Sequence, residues 1–150
     1  MTVIGGIPSW VQMYFEKILK KAKKKNLTEI FYDFNLFIYG GVNFSPYKNL
    51  FKDLIGKEVD TIEYYPASEG FFAYQNSQSD KSLLLQYDSD IFYEFIKTDE
   101  FEKEDAKRYN LGNVKIETNY VLVISNNAGL WAYNTGDTVK FTSLNPPKIL

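Results

Sequence analysis

Three short stretches hold residues able to handle a phosphate, a metal ion or a sugar hydroxyl. The first is Tyr65-Pro66-Ala67-Ser68-Glu69-Gly70. A carboxylate and a hydroxyl held between strand ends can grip a metal ion and a phosphate. Pro66 lacks a backbone donor and fixes φ, so the strand leading in is expected to stop there. Gly70 permits positive φ or close approach of another backbone. The second stretch is Gly40-Gly41, where a glycine pair after a strand lets a ligand come near. The third is Thr135-Gly136-Asp137. There Gly136 permits a sharp turn, and the Asp137 carboxylate can accept two hydrogen bonds from a ribose diol. Each stretch also has a plainer reading as a turn between strands.

Composition narrows the chemistry. The chain has 150 residues and a net charge of −2, so no overall field favours nucleic acid or acidic lipid. It holds no His and no Cys. Zinc sites of the usual kind, Cys nucleophiles, His general bases and the Ser-His-Asp triad are therefore excluded. A metal here would be bound by oxygen, which points to magnesium or calcium. Apolar residues make up 45% and aromatics 17%, with 12 Tyr and 12 Phe, enough for a core rich in strands. No apolar run approaches the roughly 20 residues of a membrane span. No basic segment precedes an apolar one at the start, so a signal peptide is not expected. The reading is a soluble, cytoplasmic chain with no nucleic-acid and no membrane partner.

The elements that would position these residues follow from spacing. Ser9 with Gln12 makes a capping box for a helix running to about Lys25, with Asn26 as C-cap. Six lysines crowd the end of this helix, Lys17, Lys20, Lys21, Lys23, Lys24 and Lys25. They are either a basic binding patch or a solvated helix end. A strand at 34–39, a helix at 46–55 begun by Ser45-Pro46 and stopped by Gly56, and a strand at 59–64 form a strand–helix–strand unit. The ligand crevice of such a unit lies beyond the carboxyl ends of its strands, at Gly40-Gly41 and at 65–70. From Gly70 onward the pattern becomes short strands broken by turn residues. Phe71–Gln75, Leu83–Gln86, Ile91–Ile96, Val114–Glu117, Tyr120–Ser125, Leu130–Tyr133 and Thr138–Phe141 are all expected as strands. Asp99–Asp105 is expected as a solvated loop or helical turn, and Asn145-Pro146-Pro147 as an exit into a further segment. The fold class is mixed α/β (α+β): residues 1–70 form an α/β part, and 71–150 mainly antiparallel strands in a partial barrel or sheet. The two parts form one structural unit. Trp10, Tyr14, Phe71 and Phe72 are expected in the core rather than lining a pocket.

Taken in order, these residues resemble a known family. Tyr65-x-Ala67-Ser68-Glu69-Gly70, then Leu83-Leu84-Leu85, Ile91-Phe92-x-Glu94-Phe95, Tyr120-x-Leu122-Val123 and Gly129-Leu130-Trp131-x-Tyr133-x-x-Gly136-Asp137 look like the auxin-responsive Gretchen Hagen acyl-acid amido synthetases. Gly6-Ile7-Pro8-Ser9-Trp10 and Gly40-Gly41 also fit, so the resemblance spans nearly the whole chain, and it is nearer to bacterial members than to plant ones. These enzymes belong to the adenylate-forming superfamily. The resemblance implies an ATP-dependent ligase: a small carboxylic acid attacks the α-phosphate to give acyl-AMP, and an amino acid or other amine takes the acyl group. ATP and Mg2+ would be the cofactors.

Carried over residue by residue, the resemblance makes Glu69 the magnesium ligand and puts Ser68 at the α-phosphate. Tyr65 would pack on adenine with Ala67 beside it. Gly40 and Gly41 would border the adenine pocket, and Asp137 would hold the ribose hydroxyls. Tyr133 would support its strand. The family's Ser/Thr/Gly-rich phosphate loop, which lies ahead of this region, has no counterpart here. Ala132 and Asn134 stand where plant members carry basic residues, and Val121 where they tend to carry Glu. The expectation is an internal piece of the large N-terminal adenylate-forming domain, with the mobile C-terminal domain lying beyond it and with no complete active site of its own. The alternative is a catalytically inactive nucleotide-binding or structural module.

Overall fold

The computed structural model describes all 150 residues, in two compact units, Met1–Tyr65 and Pro66–Leu150. The first unit is α/β. Strand β1 (Val3–Gly5) leads through helix α1 (Pro8–Ala22) to β2 (Leu36–Tyr39), and helix α2 (Lys48–Ile55) leads on to β3 (Asp60–Ala67). The three strands are parallel in the order β1-β2-β3, with Leu36 opposite both Val3 and Asp60. Parallel pairing requires such crossovers, and the expected strand–helix–strand unit is present as β2-α2-β3. The short β1 was not expected from the sequence.

Several boundaries differ from the sequence reading. Helix α1 starts two residues earlier, with Pro8 in its first turn and Ile7 as cap, so Ser9 caps nothing. Gln12 donates to Glu16 instead (2.8 Å). Pro8 has the φ of a first-turn residue built in, which outweighs the hydroxyl one position later. The helix ends on Lys23 in the left-handed region (φ 54), while Asn26 caps the 3₁₀ turn Leu27–Glu29. Residues Ser45–Tyr47 form a 3₁₀ turn, and α2 proper begins at Lys48. Strand β3 does not stop at Pro66. Its pairing with β2 ends at Glu63, opposite Tyr39, so at Pro66 no ladder bond to β2 is forgone.

A cluster of aromatic rings holds the first unit together. Phe37 and Phe51 lie tilted against each other at 4.8 Å between ring centroids, Phe44 meets Phe51 edge-on at 5.1 Å, and Phe15 lies 5.6 Å from Phe51. Leu19, Leu27, Phe34 and Ile55 complete this core. Gly56 closes α2 at φ 90, and a Cβ there would come within 2.6 Å of the Asn26 side chain. Position 56 is thus reserved for glycine twice over, by conformation and by space. Trp10 (69% exposed), Tyr14 and Phe71 lie on the surface, against expectation; of the four aromatics only Phe72 is buried. On α1 the core takes Val11, Phe15 and Leu19, which leaves positions 10 and 14 on the solvent side of the stripe.

The second unit is an open sheet that does not close into a barrel. Its strands are β4 (Gly70–Gln75), β5 (Leu83–Leu85), β6 (Ile91–Lys97), β7 (Arg108–Tyr109), β8 (Asn119–Asn126), β9 (Tyr133–Leu144) and β10 (Pro147–Ile149). They lie in the order β4-β5-β10-β9-β8-β6-β7 and the pairs are antiparallel. Val114–Glu117 is not a strand: Glu117 has φ 56, and the segment makes only an isolated bridge from Ile116 to Phe141. Leu130–Tyr133 is not one either, because Ala132 at φ 49 breaks the extension. The two strands expected around Thr-Gly-Asp are one long strand, β9. Asn145-Pro146 reverses the chain, and Pro147 begins β10, which inserts between β5 and β9. The expected exit is thus a turn back into the sheet.

Phe95, Tyr120, Phe141 and Leu122 fill the centre of this unit, with Phe95 and Phe141 edge-on at 5.0 Å. The Tyr93 phenol is pushed up to about 12 by burial. Lys148 on β10 reaches Asp80 at 2.7 Å, and Asp80 also accepts from the Ser82 hydroxyl and backbone. These bonds, the lysine first, hold the Asp80 carboxyl well below the usual carboxylate range.

Two outcomes follow for stability. Phe51→Ala should cost about 3–5 kcal/mol in urea denaturation followed by far-UV circular dichroism, whereas Leu50→Ala, on the exposed side of α2, should cost less than about 1 kcal/mol. A depressed carboxylate stabilises the folded state above its unfolded value and loses this as the pH falls. The gap in melting temperature between the wild type and Asp80→Asn should therefore be full at neutral pH and shrink below about pH 4. A gap independent of pH would refute the ion pair's role.

Candidate functional site

In the second unit the chain turns at Ser68-Glu69, between Ala67 at the end of β3 and Gly70 at the start of β4. Ser68 is exposed and Glu69 half-buried. The turn is tied to the sheet through Asn126, the last residue of β8. The Asn126 amide Nδ2 donates to the Glu69 carbonyl oxygen at 3.0 Å. The Asn126 Oδ1 accepts from the Ala128 and Leu130 backbone amides, both at 3.1 Å. One side chain thus fixes both the Ser68-Glu69 turn and the 127–130 loop. The Tyr133 hydroxyl, at the start of β9, donates to Glu69 Oε1 at 3.3 Å. Gly70 serves for close approach rather than for positive φ, since a Cβ there would meet Ile91 Cδ1 at 2.7 Å.

Asp137 lies on the same strand as Tyr133, in a distorted stretch. Val121 pairs with Thr138 and Val123 with Asn134, so four steps along β9 face two steps along β8. Two residues bulge outward, and Asn134 and Thr138 come to about 7 Å of each other instead of about 13 Å. Gly136 takes φ 81 within the bulge, a conformation that costs other residues. Side chains hold it: Thr135 Oγ1 donates to the Leu122 carbonyl (3.1 Å), Gly136 N donates to Asn134 Oδ1 (3.0 Å), and Asp137 N donates to Thr135 Oγ1 (3.2 Å). Asp137 is exposed at the end of this bulge. Tyr133 at the start of β9 thus holds Glu69, and Asp137 follows four residues further along the same strand.

Ala67 is half-buried at the end of β3. In the first unit, Gly40 is buried just past β2, and Gly41 follows at φ 80 with open space around it. Tyr65 is half-buried on β3. Nearby, the Tyr39 hydroxyl donates to Glu63 Oε2 at 3.0 Å; burial, then the Glu63 charge, pushes the Tyr39 phenol well above its usual range. No group of three or more acidic side chains converges anywhere in the chain. Glu69 would thus hold a metal as a single protein carboxylate, the arrangement magnesium takes when phosphates and water supply its other ligands.

The sequence reading missed Asn126 and gave Tyr133 no contact with Glu69. Asn126 lies 57 residues from Glu69 and Tyr133 lies 64, so no local spacing could have linked them.

Residues 84–149 match the GH3 family central domain. This span holds Asn126, Tyr133 and Asp137; the Tyr65–Gly70 and Gly40-Gly41 stretches precede it. Comparison with curated proteins finds no match. Among solved structures, a GH3.15 acyl acid amido synthetase is similar over 88% of the chain, with a TM-score of 0.65 and 20% identity. A 2-hydroxyisobutyryl-CoA ligase in complex with 2-HIB-AMP and CoA is similar over 99%, with a TM-score of 0.66 and 13% identity. The Vibrio cholerae adenylation domain AlmE, in complex with glycyl-adenosine-5'-phosphate, is similar over 100%, at 0.56 and 12%. The fold is therefore one found within adenylate-forming ligases. The chain spans 25%, 34% and 31% of these three proteins. Within the matched span, the bulge makes a direct prediction. Gly136→Ala should destabilise the protein by roughly 1–2 kcal/mol, the cost of a left-handed residue with a Cβ, because the space around it is open. Equal denaturation midpoints would show that the bulge can relax.

Proposed function

We propose that this chain is the adenosine-holding part of an ATP-dependent ligase that activates a small carboxylic acid as acyl-AMP and passes the acyl group to an amine or amino acid. The observation that carries the reading is the hydrogen bond from Tyr133, at the start of β9, to Glu69, together with the Gly136 bulge that leaves Asp137 exposed four residues further along the same strand. The GH3 match over 84–149 and the likeness to ligases crystallised with acyl-adenylates support it.

In this reading Asp137 accepts hydrogen bonds from both ribose hydroxyls, a fork that a single carboxylate provides. Ser68, exposed beside Glu69, donates to the α-phosphate. Tyr65 and Ala67 flank the adenine, and Gly40-Gly41 borders it. Magnesium, when bound, offsets the repulsion between an anionic carboxylate and an anionic phosphate. Glu69 is the residue that would hold it, with Tyr133 fixing the orientation of its carboxylate. The chain's own work is to position and to neutralise, which needs neither His nor Cys.

The test is a calorimetric titration of the protein with ATP and magnesium. Saturable binding is expected, with Glu69→Ala and Asp137→Ala each weakening it by about 1–3 kcal/mol, as for a lost charge-assisted contact. AMP should keep most of its sensitivity to Asp137→Ala and little to Glu69→Ala. Unchanged affinity in Asp137→Ala would end the ribose assignment. No binding by the wild type would leave the fold as a structural module.

A further inference from the structure

A second feature of the Pro66–Leu150 unit is a cleft of about 570 Å³ between the β5–β6 turn and the loop from β8 to β9. Its lining includes Tyr87, Asp88, Asp90, Phe92, Asn126 and Trp131. Neither Glu69 nor Asp137 lines it, and no Lys or Arg does. The three aromatics are unusually bare for their size: Trp131 is 82% exposed, Phe92 61% and Tyr87 56%. Asp88 accepts from Gln86, whereas Asp90 has no hydrogen bond or ion pair.

We infer that this cleft binds a small organic ammonium compound with an apolar body and no carboxylate. Aromatic faces carry negative potential, and an indole is the best of them for a cation. An apolar body would also cover ring surface now in water. Two aspartates in a lining without Lys or Arg favour positive charge and repel phosphates and carboxylates, which separates this cleft from any nucleotide subsite. Asn126 belongs to both places: it lines the cleft while its amide holds the Glu69 carbonyl. An occupant of the cleft would therefore sit one side chain away from the Ser68-Glu69 turn. The inference does not depend on nucleotide binding, and its test contains no nucleotide.

Trp131 is itself the reporter. In a Trp10→Phe background its fluorescence is read against choline, the neutral isostere 3,3-dimethylbutan-1-ol, and glycine betaine, which adds a carboxylate. Sodium chloride at matched concentration controls for salt. Choline should give saturable quenching with a Kd about ten-fold below that of the isostere, the ratio expected of a cation over an aromatic face. Betaine should bind more weakly than choline. Asp90→Asn should raise the choline Kd several-fold and leave the isostere unchanged. Trp131→Leu, followed by calorimetry, should abolish the preference for choline while the far-UV spectrum stays native, since this side chain supports no core. Equal affinity for choline and the isostere would reduce the cleft to a plain apolar groove and overturn the inference. Absence of saturation by choline would overturn it equally.

Discussion

The mismatch of step between β8 and β9 opposite Leu122 is the constraint on which the second unit depends. Two strands that pair on both sides of a bulge must agree on where the extra residues go. Here Val121 and Val123 keep their partners, and Thr135, Gly136 and Asp137 take up the excess. Leu122 is fully buried, so its carbonyl cannot be left unmatched, and the Thr135 hydroxyl accounts for it. The same arrangement that satisfies a buried carbonyl turns a carboxylate outward at the next residue but one. Both the matched carbonyl and the outward carboxylate follow from one distortion, and neither would survive a regular ladder.

Hydrogen bonding rather than charge organises the surroundings of Glu69. Its carbonyl is held by a neutral amide and its carboxylate by a phenol. No lysine or arginine bridges to it among the ion pairs of the chain. A carboxylate orientated by neutral donors keeps its full negative charge available to a cation. The ion pairs lie elsewhere, and the least exposed lysine among them, Lys148, fastens a strand to a loop.

The sequence was most legible where the apolar period was clear. The apolar spacing of α1 and α2, and Gly56 as the stop of α2, all place elements close to where they lie. Strand β2 and its parallel partner β3 were readable because a helix separates them. Legibility failed where tertiary pairing decides. The residues of β1, β7 and β10 number only three, two and three, too few for a period to show. Thr-Gly-Asp has the composition of a hairpin turn, yet it is a bulge because β8 continues unbroken beside it. In the candidate site, the residue types at 68, 69 and 137 could be chosen by chemistry alone. Asn126 could not, since its role rests on a contact with a carbonyl far along the chain. The exposed aromatics were misread because composition assigns rings to cores, and the two cores were already full of phenylalanine.

The insertion of β10 between β5 and β9 has a consequence for how the sheet comes into being. The strand lying between these two earlier strands is the last of them to be synthesised. Until residues 147–149 emerge, β4–β5 and β9–β8–β6 are separate ribbons, each with one bare edge facing the other. A short Pro-containing segment then joins them, at the long-range end of the loop-closure scale. Assembly of this unit thus waits on residues 147–149, and until they are available the open edges are where the chain would be most vulnerable to pairing with its neighbours.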